Sequence, residues 1–375
     1  MKQQEGVTIR DIAKHCHASI ATVSRAINHR PGVSDALRTT ILQYAQEQGY
    51  APDKIAQSMR SGRLDRVYIV SPCDDNGDSL FHIAARGGSD PLSGIDIQYR
   101  TFPFRHDLIT ELQRLETAYR PRLFVIVGPC RLKAGARFND VHTPLMFVLS
   151  DDAPTTYPCV LSDDLQGSEA VVDSLITAGH RRIAVVTDTS DEGLPSFPTR
   201  IEGYRASLER HGLTYDPSLV QALTINYDQY FSSAEEQMQR HVLPMFQDRI
   251  SASAPTPTSI FVLSDFLALT LVRVLWNAGI SVPHQLSIAS FGGWTVTKYI
   301  PISLQTWVQP AEDIIAATTT AISYLLQGKP FPDDLPLPSR HPDGTQGMAT
   351  AVTPIEYRIP GYLRVGQSVG APDGR

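Results

Sequence analysis

Two arginines near the start of the chain, Arg25 and Arg38, carry the side chains best suited to binding phosphates and the edges of bases. A guanidinium group presents its donors in a planar fork, which matches phosphate oxygens and the guanine edge. The backbone amides of short helices offer further donors to phosphates. The chemistry available here is therefore nucleic-acid recognition, provided that local structure leaves these groups at the surface.

Three short helices are predicted to position these groups. Ile9 and Ile12 lie on one apolar face of a first helix, with Thr8 as its N-cap. Ser19 and Ser34 are the predicted caps of a second and a third helix. Two short helices joined by a tight turn are typical of a helix-turn-helix, whose second helix enters the major groove of DNA. On periodicity alone, a three-helix domain without DNA contacts stays open.

The charge is unevenly divided along the chain. Residues 1–66 carry ten Lys and Arg against six Asp and Glu, a net charge of +4, which leaves −10 for the rest of a chain whose total is −6. A basic head on an acidic body fits a small DNA-binding module attached to a domain that avoids phosphates. A chance imbalance is the alternative.

An ordered set of residues runs through the head: Thr8-Ile9, Asp11-Ile12-Ala13, Ser19, Thr22-Val23-Ser24-Arg25, Asn28, Val33-Ser34, Arg38, Gly49-Tyr50-x-Pro52, Ala56 and Arg60. This set resembles the DNA-binding head of the LacI/GalR family of bacterial repressors. The resemblance implies that Ile20, Ala21 and Arg25 face base edges. It also implies that short polar side chains hold phosphates: Thr8, Ser19, Thr22, Ser24 and Asn28.

The recognition segment departs from the family in two places. The family usually has Ala-Gly-Val in the turn where this chain has Cys16-His17-Ala18, and histidine is among the few other residues that tolerate the positive φ that suits glycine. Ile20 and Ala21 cannot hydrogen-bond bases, so they are predicted to make apolar contacts, for example with a thymine methyl group. Arg25 is left as the main polar reader of bases.

Residues 52–60 resemble the family's hinge helix, which lies in the minor groove and wedges a leucine into a base step. Met59 stands at the leucine position, and Ala56 lies on the same segment. Methionine is among the apolar side chains that form such wedges. A plain linker helix is the alternative.

From Val67 onward, short apolar runs alternate with helical patterns. The predicted strands are Val67–Val70, Ile95–Tyr99, Leu123–Val127, Leu145–Leu149, Ile183–Val186, Ile260–Leu263 and Ser287–Phe291. The predicted helices are Asp107–Ala118, Gln166–Ala178, Pro198–His211, Phe266–Ala278 and Pro310–Leu326. This alternation predicts two doubly wound parallel-sheet subdomains, with a ligand bound between them at the carboxyl ends of the strands.

Sparser matches continue through the body: Asp163-Asp164-x-x-Gly167, Gly179-His180-Arg181-Arg182-Ile183, Arg200-x-x-Gly203-Tyr204, Pro257-Thr258-x-Ile260-Phe261, Asp265, Ala268-Leu269, Gly279 and Val282-Pro283. They resemble the family's effector core, which is similar to periplasmic sugar-binding proteins. The resemblance implies that Arg200 reaches the effector and that Asp265 is a cleft acid. A surface salt bridge is the alternative for Arg200. Ser71 and Asp163 complete the candidate polar site.

Phe291-Gly292-Gly293-Trp294 stands where the family often has Phe-Asp-Asp, so the usual acid is missing. Trp294 is a candidate stacking face for a pyranose, or else a core or lid residue. Cys73 and Cys130 follow two similar strand ends, which a strand order 2-1-3 would make neighbours. A redox- or metal-responsive repressor that uses this pair is an alternative function, as is an effector-independent DNA-binding protein.

The expected domains are a helix-turn-helix head at 1–50, a hinge helix and linker at 51–64, an effector-binding and dimerisation core at 65–330, and an irregular segment at 331–375 with a disordered tail. No apolar run approaches a membrane span and the start lacks the apolar core of a signal peptide, so a cytoplasmic protein is expected, and a periplasmic receptor is disfavoured. No catalytic or zinc motif is seen, so neither an enzyme nor a cofactor is expected. Expected partners are double-stranded operator DNA, a carbohydrate effector that is a sugar or a sugar phosphate, and further copies of the chain in a homodimer or tetramer.

Overall fold

The computed structural model describes residues 9–27, 32–47, 66–72, 92, 95–103, 106–130, 137–190, 194–247, 256–340 and 346–372. The chain divides into two compact units, which are residues 1–65 with 94–96 and the remainder. None of the described helices is long and apolar enough to cross a membrane. The helices of the first unit are α1 Ile9–His15, α2 Ile20–Ile27 and α3 Asp35–Glu47.

The head packs its three helices around a small apolar core. The fully buried side chains include Ile12 of α1, Val23 of α2 and Ile41 of α3. The Ser19 hydroxyl accepts a hydrogen bond from the Thr22 amide at 3.1 Å, so the prediction of Ser19 as the N-cap of α2 is confirmed. His17, in the turn between α1 and α2, has φ of +47°, which confirms the predicted positive φ there.

The body contains two sheets. The eight-stranded sheet has the order β11-β12-β13-β5-β4-β3-β1-β2, and the six-stranded sheet has the order β14-β10-β9-β8-β6-β7. Their strands are β1 Arg66–Pro72, β2 Asp96–Phe102, β3 Leu123–Val127, β4 Leu145–Val148, β5 Cys159–Ser162, β6 Ile183–Asp188, β7 Val220–Leu223, β8 Ser259–Val262, β9 Ser287–Gly292, β10 Gln305–Val308, β11 Asp334–Arg340, β12 Gln346–Thr353, β13 Glu356–Ile359 and β14 Tyr362–Arg364.

Helices connect the strands in the manner of a doubly wound fold. The described helices of the body are α4 Leu108–Tyr119, α5 Asp164–Thr177, α6 Phe197–Arg210, α7 Tyr230–Gln237, α8 Pro244–Gln247, α9 Asp265–Asn277 and α10 Ala311–Leu326. The pairs β1–β3, β3–β4, β4–β5 and β13–β5 are parallel in the larger sheet, and β6–β7, β6–β8, β8–β9 and β9–β10 are parallel in the smaller. The predicted fold class is confirmed.

The chain passes between the two sheets at three places. β5 leads into α5, which packs on the smaller sheet; β10 leads into α10, which packs on the larger sheet; and β13 leads into β14 of the smaller sheet. These passages lie at residues 163, 309–310 and 360–361. The side-chain amide of Gln309 donates from Nε2 to Asp164 Oδ1 at 3.1 Å, and the Asp163 backbone amide donates to the Ile359 carbonyl at 3.1 Å. The passages are thus tied to one another, beside the carboxyl ends of the parallel strands.

The C-terminal segment is more regular than its composition predicts. β11 and β12 form an antiparallel hairpin at the edge of the larger sheet, where the prolines of β11 are tolerated because an edge strand leaves one side unpaired. The expectation of an irregular segment is therefore wrong for these strands. The Gly370 amide donates to Ser287 Oγ at 3.0 Å, and the Gly370 carbonyl lies 2.9 Å from His180 Nε2. The tail is therefore ordered as far as residue 372, where a disordered tail was expected.

Candidate functional site

The predicted recognition helix α2 presents an apolar and a basic side chain outward. Ile20 is 41% exposed, so this large apolar side chain is available for contact with a partner. Arg25 is exposed and Thr22 is half-buried. Ala21 and Ser24 lie on the same helix, although their side chains fall outside the described set. The predicted base-facing residues therefore share the helix whose opposite face, through Val23 and its neighbours, forms the head's core.

Two of the remaining predicted DNA contacts, Ser19 and Arg38, lie among the described residues. Ser19 caps α2, and its hydroxyl lies 2.8 Å from the hydroxyl of Thr22. Arg38 on α3 is half-buried and donates to the carbonyl of Ala26 at 3.4 Å, near the end of α2. The other predicted contacts lie outside the described residues: Thr8, Asn28, Ala56 and Met59. The hinge helix at 51–64 lies outside them as well.

In the body, Ser71 and Asp163 are the two polar residues predicted on less specific grounds, and both hydrogen-bond to backbone groups of the protein. Ser71 is buried at the end of β1, and its hydroxyl donates to the Val127 carbonyl of β3 at 3.1 Å. Asp163 caps α5 by accepting from the Gln166 amide at 3.1 Å. Both positions lie at carboxyl ends of parallel strands, where ligands bind in folds of this class.

Arg200 is buried, and its guanidinium group is occupied by protein partners. Its Nε donates to Asp164 Oδ2 at 2.8 Å and one terminal nitrogen donates to the Leu263 carbonyl at 2.5 Å. The guanidinium carbon lies 3.9 Å from the centroid of the Phe291 ring. The alternative prediction of a surface salt bridge for Arg200 is therefore wrong, because Arg200 and Asp164 form a buried ion pair. These contacts favour a structural role, and effector binding by Arg200 stays a prediction.

Asp265 is 1% exposed and accepts hydrogen bonds on both oxygens. Oδ1 accepts from the hydroxyls of Ser290 and Thr306, at 2.6 and 2.8 Å. Oδ2 accepts from the Trp294 amide at 2.7 Å. Asp265 therefore holds the segment that follows β9, and the structure brings it together with Trp294, whose half-buried indole packs against Phe266 with ring centroids 4.9 Å apart.

Two groups near the predicted site, Asp151 and Arg364, are not among the predicted site residues. Burial and, to a smaller extent, the nearby charge of Asp164 raise the pKa of Asp151 to about 6, although Arg200 and Arg358 oppose this rise. The charge of Asp164 thus acts on Asp151 between the carboxyl ends of β4 and β5. Arg364, on the edge strand β14, donates to the Gly293 carbonyl at 3.3 Å and to the Thr297 hydroxyl.

The redox alternative is not favoured by the setting of Cys130. This cysteine is 3% exposed, and burial together with the neighbouring Asp152 charge raises the pKa of its thiol well above the ordinary value. A thiol held neutral in this way is a poor nucleophile. Cys73 lies outside the described residues, and β1 and β3 are neighbours as predicted. Within the described part of the chain, no cluster of three His, Cys, Asp or Glu side chains could hold a metal ion.

The comparison with known proteins decides what kind of head this is. Residues 8–53 match the profile of the bacterial regulatory proteins of the lacI family, and residues 172–340 match that of a periplasmic binding protein-like domain. The chain belongs to the lacI family. This LacI-family protein is a DNA-binding transcriptional regulator, and its family consists of regulators rather than enzymes.

Curated relatives and solved structures agree along most of the chain. Catabolite control protein A of Priestia megaterium is 25% identical over 82% of this chain and 89% of its own, and the repressor CytR of Escherichia coli K12 is 26% identical over 84% and 88%. A lac repressor dimer bound to operator and an anti-inducer has a TM-score of 0.65 at 18% identity, covering 98% of this chain and all of its own. A CelR–cellobiose complex has a TM-score of 0.59 at 21% identity, covering 96% and 99%. These structural likenesses establish the LacI fold.

Proposed function

We propose that this LacI-family regulator represses transcription by binding an inverted-repeat operator as a homodimer, and that a carbohydrate bound between its two body subdomains changes its affinity for that operator. The observation that carries the proposal is the recognition helix α2, capped by Ser19, with Ile20 and Arg25 outward and Val23 inward. Such a helix reads one half-site, so two copies are needed for a palindrome.

The effector class is proposed from the side chains of the site and from the ligands bound in similar regulators. The structure of one similar regulator holds cellobiose and that of another holds ribose. Here the carboxyl ends of the body strands carry acids and aromatic rings, including Asp188, Tyr227 and Trp294, and Arg200 is ion-paired with Asp164. Aromatic faces with a few polar groups suit a neutral sugar better than a sugar phosphate.

A homodimer is supported by exposed apolar side chains on the smaller-sheet subdomain. Tyr299 is 81% exposed and Val296 is 46% exposed; Val296 lies in the short helical turn Thr295–Lys298 that follows β9, and Tyr299 lies at its end. Contiguous apolar surface left in water is typical of protein contact sites.

We further propose that the hinge comprises residues 51–64, with Ala56 and Met59 in the minor groove, and that the protein is cytoplasmic. We assign it no catalytic activity.

Selection of tight-binding sequences from random double-stranded DNA tests the proposal. The purified full-length protein is expected to enrich one inverted repeat, because each copy of α2 reads one half-site. Binding to that sequence should exceed binding to unrelated DNA by about a thousandfold or more at physiological salt. A mock selection without protein is the control. Recovery of DNA without a shared sequence, or of a single half-site only, would overturn the proposal.

A further inference from the structure

A network of buried hydrogen bonds holds the turn after β9, which comprises residues 292–294. Asp265, at the start of α9, accepts from the Trp294 amide and from the Thr306 hydroxyl, as described above. The Thr306 oxygen in turn accepts from the Gly293 amide at 3.3 Å. Two consecutive backbone amides of the turn, those of Gly293 and Trp294, are therefore fixed by groups on α9 and β10.

The same turn is held from the other side by Arg364. β14 pairs with β10 so that Arg364 stands opposite Thr306. From there the guanidinium group donates to the Gly293 carbonyl at 3.3 Å and to the Thr297 hydroxyl, and the latter donates to the Trp294 carbonyl at 2.6 Å. Burial raises the pKa of Asp265, and the hydrogen bonds that it accepts and the positive charge of Arg364 oppose this rise only in part.

The backbone of the turn has little freedom. Gly292 and Gly293 have φ of +135° and +78°, a region that other residues rarely adopt. A Cβ atom on Gly293 would lie 2.6 Å from Cα of Val308, closer than such atoms approach. The acid that the family often places here is thus replaced by a tight glycine turn whose next residue is Trp294.

We propose that Arg364 and Asp265 are positioning residues that together fix the indole of Trp294 as the wall that selects the effector, a ligand with a flat apolar ring face. The inference rests on the proposed function, since it needs an effector at the carboxyl ends of these strands. Both carboxylate oxygens of Asp265 already accept hydrogen bonds from the protein. Asp265 therefore acts on the effector indirectly, by holding the turn. Trp294 packs on Phe266 on one side and is half-buried, which leaves indole surface for a ligand.

Tryptophan fluorescence tests the positioning without any ligand. The chain has three tryptophans, so a Trp276→Phe and Trp307→Phe background leaves Trp294 as the sole emitter. In this background Arg364→Met is expected to raise acrylamide quenching by about twofold or more and to lower anisotropy, because charge-assisted hydrogen bonds to the turn are lost. Arg364→Lys should retain most of the wild-type signal. Arg205→Met, the same change at an exposed arginine on α6, is the matched control.

Ligand binding tests whether Trp294 selects the effector. Melting-temperature shifts are measured with D-ribose, D-glucose, cellobiose, maltose and glucose 6-phosphate, and the affinity of the best binder is then titrated. Arg364→Met and Trp294→Ala are each expected to weaken that binder by about tenfold or more, an effect that Arg364→Lys largely rescues and Arg205→Met does not show.

Unchanged quenching in Arg364→Met, or equal affinity in Arg364→Met and wild type, overturns the inference. A best binder that is glucose 6-phosphate overturns the ligand class, because that choice would follow the phosphate rather than the ring face. If no sugar shifts the melting temperature of wild-type protein, the proposed carbohydrate effector fails together with the selecting role of Trp294. The quenching experiment then still decides whether Arg364 positions the turn.

Discussion

Replacing Arg200 by methionine is expected to lower the free energy of unfolding of the body by about 3–5 kcal/mol, because it leaves the buried charge of Asp164 without its partner. Arg200 and Asp164 are 4% and 1% exposed, and their contact of 2.8 Å has little water to replace it. The substitution also removes the hydrogen bond to Leu263 and the contact with the Phe291 ring. Urea unfolding followed by circular dichroism measures the loss.

A matched control separates this effect from the loss of any arginine. Arg210, ten residues later on the same helix, pairs with Glu169 and Asp173, but its side chain is 47% exposed. Arg210→Met is therefore expected to cost at most about 1 kcal/mol. If Arg200→Met costs no more than this control, the buried pair is not the structural element described here. A variant that keeps its stability but loses sugar binding would restore Arg200 as an effector contact.

Replacing Arg25 by alanine is expected to weaken binding to the selected operator by about 1–3 kcal/mol per half-site, while binding to unrelated DNA changes little. Arg25 is exposed on α2, the helix that the capped turn after α1 orients. A bidentate contact with guanine contributes mainly to discrimination, whereas a phosphate contact contributes to all sequences alike. Fluorescence anisotropy with labelled operator and with unrelated DNA measures both affinities.

Lys14→Ala is the matched control for Arg25. Lys14 is an exposed cation of α1, outside the recognition helix. Its loss is expected to weaken both DNAs to a similar, smaller extent and to reduce the salt dependence of binding. Equal losses for Arg25→Ala on operator and unrelated DNA would mean that Arg25 holds a phosphate rather than a base.

The sequence predicts most of the fold because its strands are continuous apolar runs. β3, for example, was predicted with the bounds that the structure has, and all of its residues are buried. β5, β7 and β10 were missed because each is short and interrupted by polar residues, whereas the equally short β4 and β8 lie in runs of at least four consecutive apolar residues. β11 was missed because its prolines argue against a strand, a rule that an edge strand escapes.

The candidate site was harder to predict, because neighbouring residues look alike in sequence. Asp163 and Asp164 are adjacent, yet the first caps a helix and the second pairs with Arg200 in the core. Which carboxylate faces inward depends on the backbone where β5 enters α5. The sequence around Arg364 matches the family's terminal arginine motif only partly, and its contacts could not be predicted because its partners, Gly293 and Thr297, lie about seventy residues away in the chain.

The coupling proposed for this regulator is that a ligand of the body controls how tightly the head holds DNA. Its most direct test is the affinity of the full-length protein for the selected operator, measured with and without a saturating concentration of the sugar that binds best. A coupled regulator is expected to change its operator affinity by about 5- to 150-fold, with unrelated DNA as the reference. An operator affinity that stays the same while the sugar is bound would contradict the account.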